Sequence, residues 1–296
     1  MTITDSFDLT EPEEAPAVDS GGERRRVGAN LIVGAAIVLT IVATALLSFL
    51  WTPFDPTRVE VPDRLKGMGW EGHLLGTDQV GHDILSQLMV GARNTLFVGI
   101  LAVGIALVVG VPLGGLAAAR RGWVEESVMR LSDVIYAFPA ILLAILLSAA
   151  RGPGISSAMI AIGVAYIPIV ARVTRGASLA VFQTDYIRAA YSYGRGRTYV
   201  FVRHVLPNIS SVLIVQATVL FALAILAEAA LSYLGLGVQP PAPSWGGSLV
   251  AAQTFFRIKA SLAFFPGLAI AISVVGFNLL GDGIRDFLDP KLAEKT

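Results

Sequence analysis

Six stretches of this chain are apolar for about as long as a lipid bilayer is thick. They run over residues 29–51, 95–118, 134–150, 157–172, 209–231 and 261–281. A helix needs about 20 mostly apolar residues to cross the hydrocarbon core. Only 15% of the 296 residues are charged, against roughly 25% in an average soluble domain. The expected fold class is therefore an all-α membrane protein, a six-helix transmembrane bundle. The third and fourth blocks are the shortest. Arg151-Gly152-Pro153-Gly154 lies between them and fits a tight turn joining antiparallel neighbours.

An even number of spans puts both termini on one side. Arg24, Arg25, Arg26, Arg120, Arg121, Arg130, six arginines between Arg172 and Arg203, Arg285, Lys291 and Lys295 share that side. These are fifteen of the 22 basic residues, against seven opposite. Basic residues accumulate on the cytoplasmic side of membrane proteins, so both termini are expected inside. Residues 1–28 form an acidic tail with a basic end, and a stretch so poor in apolar residues is expected to be disordered. The first span, 29–51, is too long for the core of a cleaved signal peptide. An external segment follows over 52–94. The core of five further spans covers 95–285, including a cytoplasmic loop over 173–208, and 286–296 is a cytoplasmic tail.

The zero net charge argues against nucleic acid as a partner, because phosphate binding needs a basic surface. With no cysteine, disulfides, thiolate metal sites and a cysteine nucleophile are excluded. Glu228 is the one acid well inside a span. It suits a hydrogen-bonded structural role better than a proton relay, which needs a chain of titratable groups. None of the four lysines follows a glycine, so the chain lacks a P-loop, and any ATP chemistry must belong to a partner. His73, Asp78, His82 and Asp83 match no compact metal-ligand spacing, so no metal or other cofactor is expected in this chain. Pro112, Pro139, Pro168 and Pro266 interrupt spans and should bend them. The small residues around them permit close helix packing.

The loop before the fifth apolar block is the most informative segment. Thr184 or Asp185 can cap a short helix there, and Gly194 can end it in a left-handed conformation. Thr198 can cap a second short helix, which Pro207 helps to stop. Ala189 and Ala190 offer a smooth surface fit for another protein's cleft. A basic loop is ordinarily only a topology signal, which does not account for this pattern of alanines, glycine and Leu206-Pro207.

The pattern resembles the cytoplasmic motif of integral-membrane permeases from binding-protein-dependent ABC importers. Arg188-Ala189-Ala190 stands where that family has Glu-Ala-Ala. Gly194 holds its glycine position, and His204-Val205-Leu206-Pro207 its closing Ile-x-Leu-Pro. The spacing is intact, with Arg188 and His204 as departures. Further strings match the peptide and nickel branch in family order: 73–83, with His82 at a usual arginine, 132–139, 231–246, 278–286 and 288–290. The resemblance implies the six-helix bundle of a type I ABC importer with short cytoplasmic coupling helices. It identifies the chain as similar to the second permease of a dipeptide or oligopeptide importer in the cell inner membrane. It implies ATPase coupling through Arg188, Ala189, Ala190, Gly194, His204, Leu206 and Pro207, and no catalytic residue. The implied partners are a homologous sister permease, two ATP-binding subunits or one fused ATPase that hold ATP and Mg, an external substrate-binding protein, and the lipid bilayer. Nickel or another small solute stays open as substrate within the family. An ion-coupled secondary transporter and a membrane scaffold are the alternatives of other classes.

Overall fold

The computed structural model describes residues 28–288, so most of the acidic tail and the last eight residues lie outside the described part. Among the described residues there are ten α-helices and no β-strand, only isolated bridges at Trp70–His73 and Thr77–Asp83. The helices are α1 (Ala29–Leu50), α2 (Ile84–Ala119), α3 (Trp123–Tyr136), α4 (Ala140–Arg151) and α5 (Ile155–Phe182). They continue with α6 (Asp185–Ser192), α7 (Arg197–Val200), α8 (Leu206–Tyr233), α9 (Trp245–Gln253) and α10 (Ser261–Leu288). Five helical stretches are long and apolar enough to cross a membrane, or six when α3 and α4 count as one bent span.

The helix ends differ from the apolar blocks, for a common reason. α2 starts at Ile84, not near 95, because Asp83 caps it: the carboxylate accepts from the Ser86 N–H and Ser86 Oγ, both at 2.7 Å. The helix has 36 residues, about 54 Å at 1.5 Å per residue, well beyond a hydrocarbon core of roughly 30 Å. α5 likewise runs on to Phe182. Its polar end carries Arg172, which donates to Asp133 at 2.8 Å, and Arg175, whose Nε donates to Glu125 at 2.6 Å. Both acids lie on α3. That helix is the amphipathic half of the expected third span, and the chain turns by 79° at residues 137–139 before α4. Pro139 precedes the first residue of α4, where its missing N–H costs no hydrogen bond. Pro112, Pro168 and Pro266 lie within α2, α5 and α10.

Two tightly packed helix pairs organise the bundle. In α2, a methyl group added at Gly110 or Gly114 would collide with Val170, or with Ala171 and Thr174, of α5; Gly163 of α5 fits against Ile105 in the same way. The second pair is α1 with α10, where Gly34 abuts Leu280 and Gly283 abuts Leu31. Small residues let helices approach closely enough for dispersion to hold them in lipid. α8 closes the core between the pairs, with Leu220, Ala224 and Ile225 buried. Leu39, Leu46, Phe49 and Leu50 of α1 stay exposed.

α9 is a short helix with no apolar block to announce it. Ser244 caps it by accepting from the Gly247 N–H at 3.0 Å. The Trp245 indole donates to the Leu88 carbonyl at 3.0 Å, and Asn94 donates to the Pro243 carbonyl at 2.8 Å. Both bonds fasten the connection after α8 onto α2.

Candidate functional site

The segment from Thr184 to Pro207 packs on one end of the bundle. Thr184 sits at the N-cap of α6, but its hydroxyl turns back to donate to the Val181 carbonyl at 2.7 Å. Gly194 ends the helix with φ +77°. The Gly194 N–H donates to the Tyr191 carbonyl at 2.9 Å and the Arg195 N–H to the Ala190 carbonyl at 3.2 Å. These two bonds satisfy carbonyls that a helix end leaves without partners. Nothing lies within 4 Å of where a Gly194 Cβ would stand, so backbone conformation, not space, favours glycine there.

The second short helix departs from expectation at both ends. It starts at Arg197 after Gly196, one residue before Thr198, and Pro207 does not stop it. The helix runs from Arg197 through to Tyr233, passing through a π-helical turn at Phe201–Val205. The wider turn shifts the hydrogen-bond register, so the proline's missing donor and its ring are tolerated in the next turn. Asn208 Nδ2 donates to the His204 carbonyl at 2.6 Å, satisfying one acceptor there.

The seven residues singled out in the sequence fall on two faces. Arg188, Ala189, Gly194 and Pro207 are exposed. Arg188 Nη1 reaches Asp185 at 3.3 Å, an exposed pair of small energetic weight. Ala190, His204 and Leu206 are half-buried. Ala190 and Leu206 join an apolar cluster around Ile187, Val200, Val205 and Ile209, which also takes in Val181 and Phe182 of α5. The two alanines therefore do not form one outward surface: Ala189 points out, and Ala190 seats α6 on the bundle. His204 meets Tyr199 edge to face, with ring centroids 5.9 Å apart.

Sequence reasoning did not find the cleft beside this segment. A cavity of about 480 Å³ opens between Ala118, Ala119 and Arg121 at the end of α2, Phe182 and Gln183 after α5, and Arg188, Tyr191 and Arg197. Burial pushes the Tyr191 phenol above its ordinary value, and the neighbouring Arg197 charge opposes that shift. Three arginines, from the turn after α2, from α6 and from α7, meet only in the fold, so no local motif marks them.

At the opposite end, Glu228 is fully buried. Its carboxylate accepts from Thr95 Oγ1 at 3.0 Å and from Ser232 Oγ at 2.7 Å, and Ser232 Oγ accepts from the Val238 N–H at 3.1 Å. The acid thus ties α8 to α2 and to the loop after α8. His73 and Asp83 pair at 3.0 Å, and His82 and Asp78 at 2.9 Å. The other Asp83 oxygen caps α2, and the other Asp78 oxygen accepts from the Val80 and His82 N–H groups. The four side chains are spent in two separate pairs. Among the described residues no three histidine or acidic side chains gather as metal ligands. Lys259, between α9 and α10, donates to the carbonyls of Lys66 and of Thr77, the latter at 3.1 Å. Burial lowers its pKa, and the Asp78 charge opposes that shift.

Comparison with known proteins agrees with this architecture. Residues 110–294 match the family described as binding-protein-dependent transport system inner membrane component. The glutathione transport system permease protein GsiD of Pectobacterium atrosepticum is 40% identical over 270 residues, covering 91% of this chain and 90% of that protein. The di/tripeptide transport system permease protein DppC of Pseudomonas aeruginosa is 42% identical over 265 residues, covering 88% and 87%. The inward-facing MetNI methionine ABC transporter shares the fold, with a TM-score of 0.58 at 19% identity over 69% of this chain and 97% of that one. A bundle of five apolar helices and one bent span, matched over most of its length to such permeases, is a multi-pass membrane transport protein, and the chain belongs to the family of binding-protein-dependent transport system inner membrane components.

Proposed function

We propose that the chain forms half of the transmembrane pathway of an ATP-driven importer for short peptides. A homologous sister permease supplies the other half. ATP and Mg are held by partner ATPase subunits, which dock on the 184–207 segment. A binding protein delivers substrate to the opposite face, which carries the 52–83 segment and α9. The basic residues clustered at the docking end, together with both termini, then lie in the cytoplasm. The observation that carries the peptide reading is identity of 40–42% over most of the chain to permeases named for glutathione and for di- and tripeptides. Glutathione is itself a tripeptide. This chain's own work is conformational: to present one opening at a time while performing no covalent chemistry.

The test is uptake by proteoliposomes holding the complete complex and its binding protein. Labelled di- and tripeptides should accumulate with ATP inside, and collapsing the proton gradient at constant ATP should leave uptake unchanged. Accumulation of nickel but not peptide would move the substrate to another branch of the family. Uptake driven by an ion gradient without ATP would overturn the ATPase-coupled reading.

A further inference from the structure

Gly115 and Phe201 make the one contact in which the docking segment meets α2 as a ring in a notch. Phe201 opens the π-helical turn. Its ring covers Gly115 so closely that a methyl group added there would overlap three ring atoms. The neighbouring Gly110 and Gly114 already receive α5. α2 therefore presents a glycine notch to α5 and, at Gly115, a second one to Phe201. Val200 and Val205 are fully buried in the cluster that holds Ile187 of α6, and Phe201 and Val111 of α2 pack against that same cluster. Packed side chains thus join α6 to this turn, and the Phe201 ring seats the turn on α2.

The turn also departs from regular α-helix geometry. π turns inside α-helices are frequent at functional sites, and Pro207 leaves the next turn without one of its donors. The contact sits near the C-terminal end of α2, a continuous helix of 36 residues with Pro112 one turn away, and the far half of that helix is fastened to Trp245 and to Glu228. The Phe201–Gly115 contact thus bears on the same helix that Trp245 and Glu228 hold at its other end.

Building on the proposed ATPase-driven import, we infer that Phe201, seated on Gly115, is the positioning residue that converts movement of the docked ATPases into movement of α2. Loss of the ring leaves docking and ATP hydrolysis in place but disconnects them from transport. The contact works by fit, so a bulkier notch is compensated by a smaller ring.

The test compares uptake with binding-protein-stimulated ATP hydrolysis in assembled, reconstituted complexes carrying Phe201→Ala, Gly115→Ala, or Gly115→Ala with Phe201→Leu. Phe201→Ala should lower peptide transported per ATP by about tenfold while hydrolysis stays within about twofold of wild type, in the range of known coupling mutations. Gly115→Ala should act in the same direction, and adding Phe201→Leu should restore at least about half of the lost ratio, because contacting residues are non-additive. An unchanged ratio in Phe201→Ala overturns the inference, as does a double variant no better than Gly115→Ala alone. Where Phe201→Ala does not assemble, the Gly115→Ala pair decides the matter by itself. A wild-type complex that hydrolyses ATP but moves no peptide overturns the proposed function instead, and this inference falls with it.

Discussion

Glu228 shows how one buried residue limits the classes of transport available. A carboxylate in lipid is costly unless its oxygens are matched, and here both oxygens accept hydroxyl hydrogens, from Thr95 and Ser232. A neutral amide can keep both contacts by rotating the hydroxyls, so Glu228→Gln should assemble and retain uptake within about twofold of wild type. Glu228→Ala strands two buried hydroxyls and should cost about 1–3 kcal/mol, read as a lower unfolding temperature in detergent. Abolished uptake in a normally assembled Glu228→Gln complex would make the charge functional and favour ion coupling. The hydrogen-bonding role was legible in the sequence because no second titratable group shares a span with Glu228. Its partners were not: Thr95 lies 133 positions away, and neither hydroxyl carries a local signature.

At the scale of elements, the docking segment is held by its inward face and offers its outward one. Ile187 and Ala190 pack onto α5 and α8, while Ala189 and Gly194 remain exposed. Ala189→Asp should therefore leave insertion and folding intact, yet reduce co-purification of the ATPase subunits by about tenfold, since a charge buried unpaired in a partner's cleft is expensive. Gly194→Val should weaken the same association by forcing a β-branched residue into left-handed backbone, a cost of about 1–2 kcal/mol. Wild-type ATPase retention in both variants would reduce the segment to a basic topology signal. The apolar blocks revealed the spans because hydropathy integrates over many residues. They misplaced the start of α2 and the end of α5, where polar residues such as Gln87 and Asn94 in α2 and Arg172 and Arg175 in α5 break the apolar run and are held by hydrogen bonds or ion pairs. The α3–α4 bend and the π turn depend on how prolines are accommodated in three dimensions. The position of Gly194 was readable, because a left-handed helix end strongly favours glycine; the split between Ala189 and Ala190 required the helix's orientation on the bundle.

On the scale of the whole molecule, the two ends are built for different tasks. The 52–83 segment and α9 are locked to the bundle by Lys259, Asn94, Trp245 and the His–Asp pairs. The other end carries a π turn, a basic cleft and a short helix with a solvent-exposed face. On the proposed orientation the fastened end faces outward and the docking end faces the cytoplasm, as a machine driven from the cytoplasm requires. That account is tested most directly by one cysteine in a chain that has none. Ser192→Cys lies on the exposed face of α6, with Met68→Cys in the 52–83 segment, also exposed, as its counterpart. In intact cells an impermeant thiol reagent should label Met68→Cys and spare Ser192→Cys. In inverted vesicles it should label Ser192→Cys readily once the ATPase subunits are stripped away, and about tenfold more slowly when they are restored, as expected for a surface buried at a protein interface. Labelling of Ser192→Cys from outside the cell, or an unchanged rate with the ATPases bound, would contradict the account.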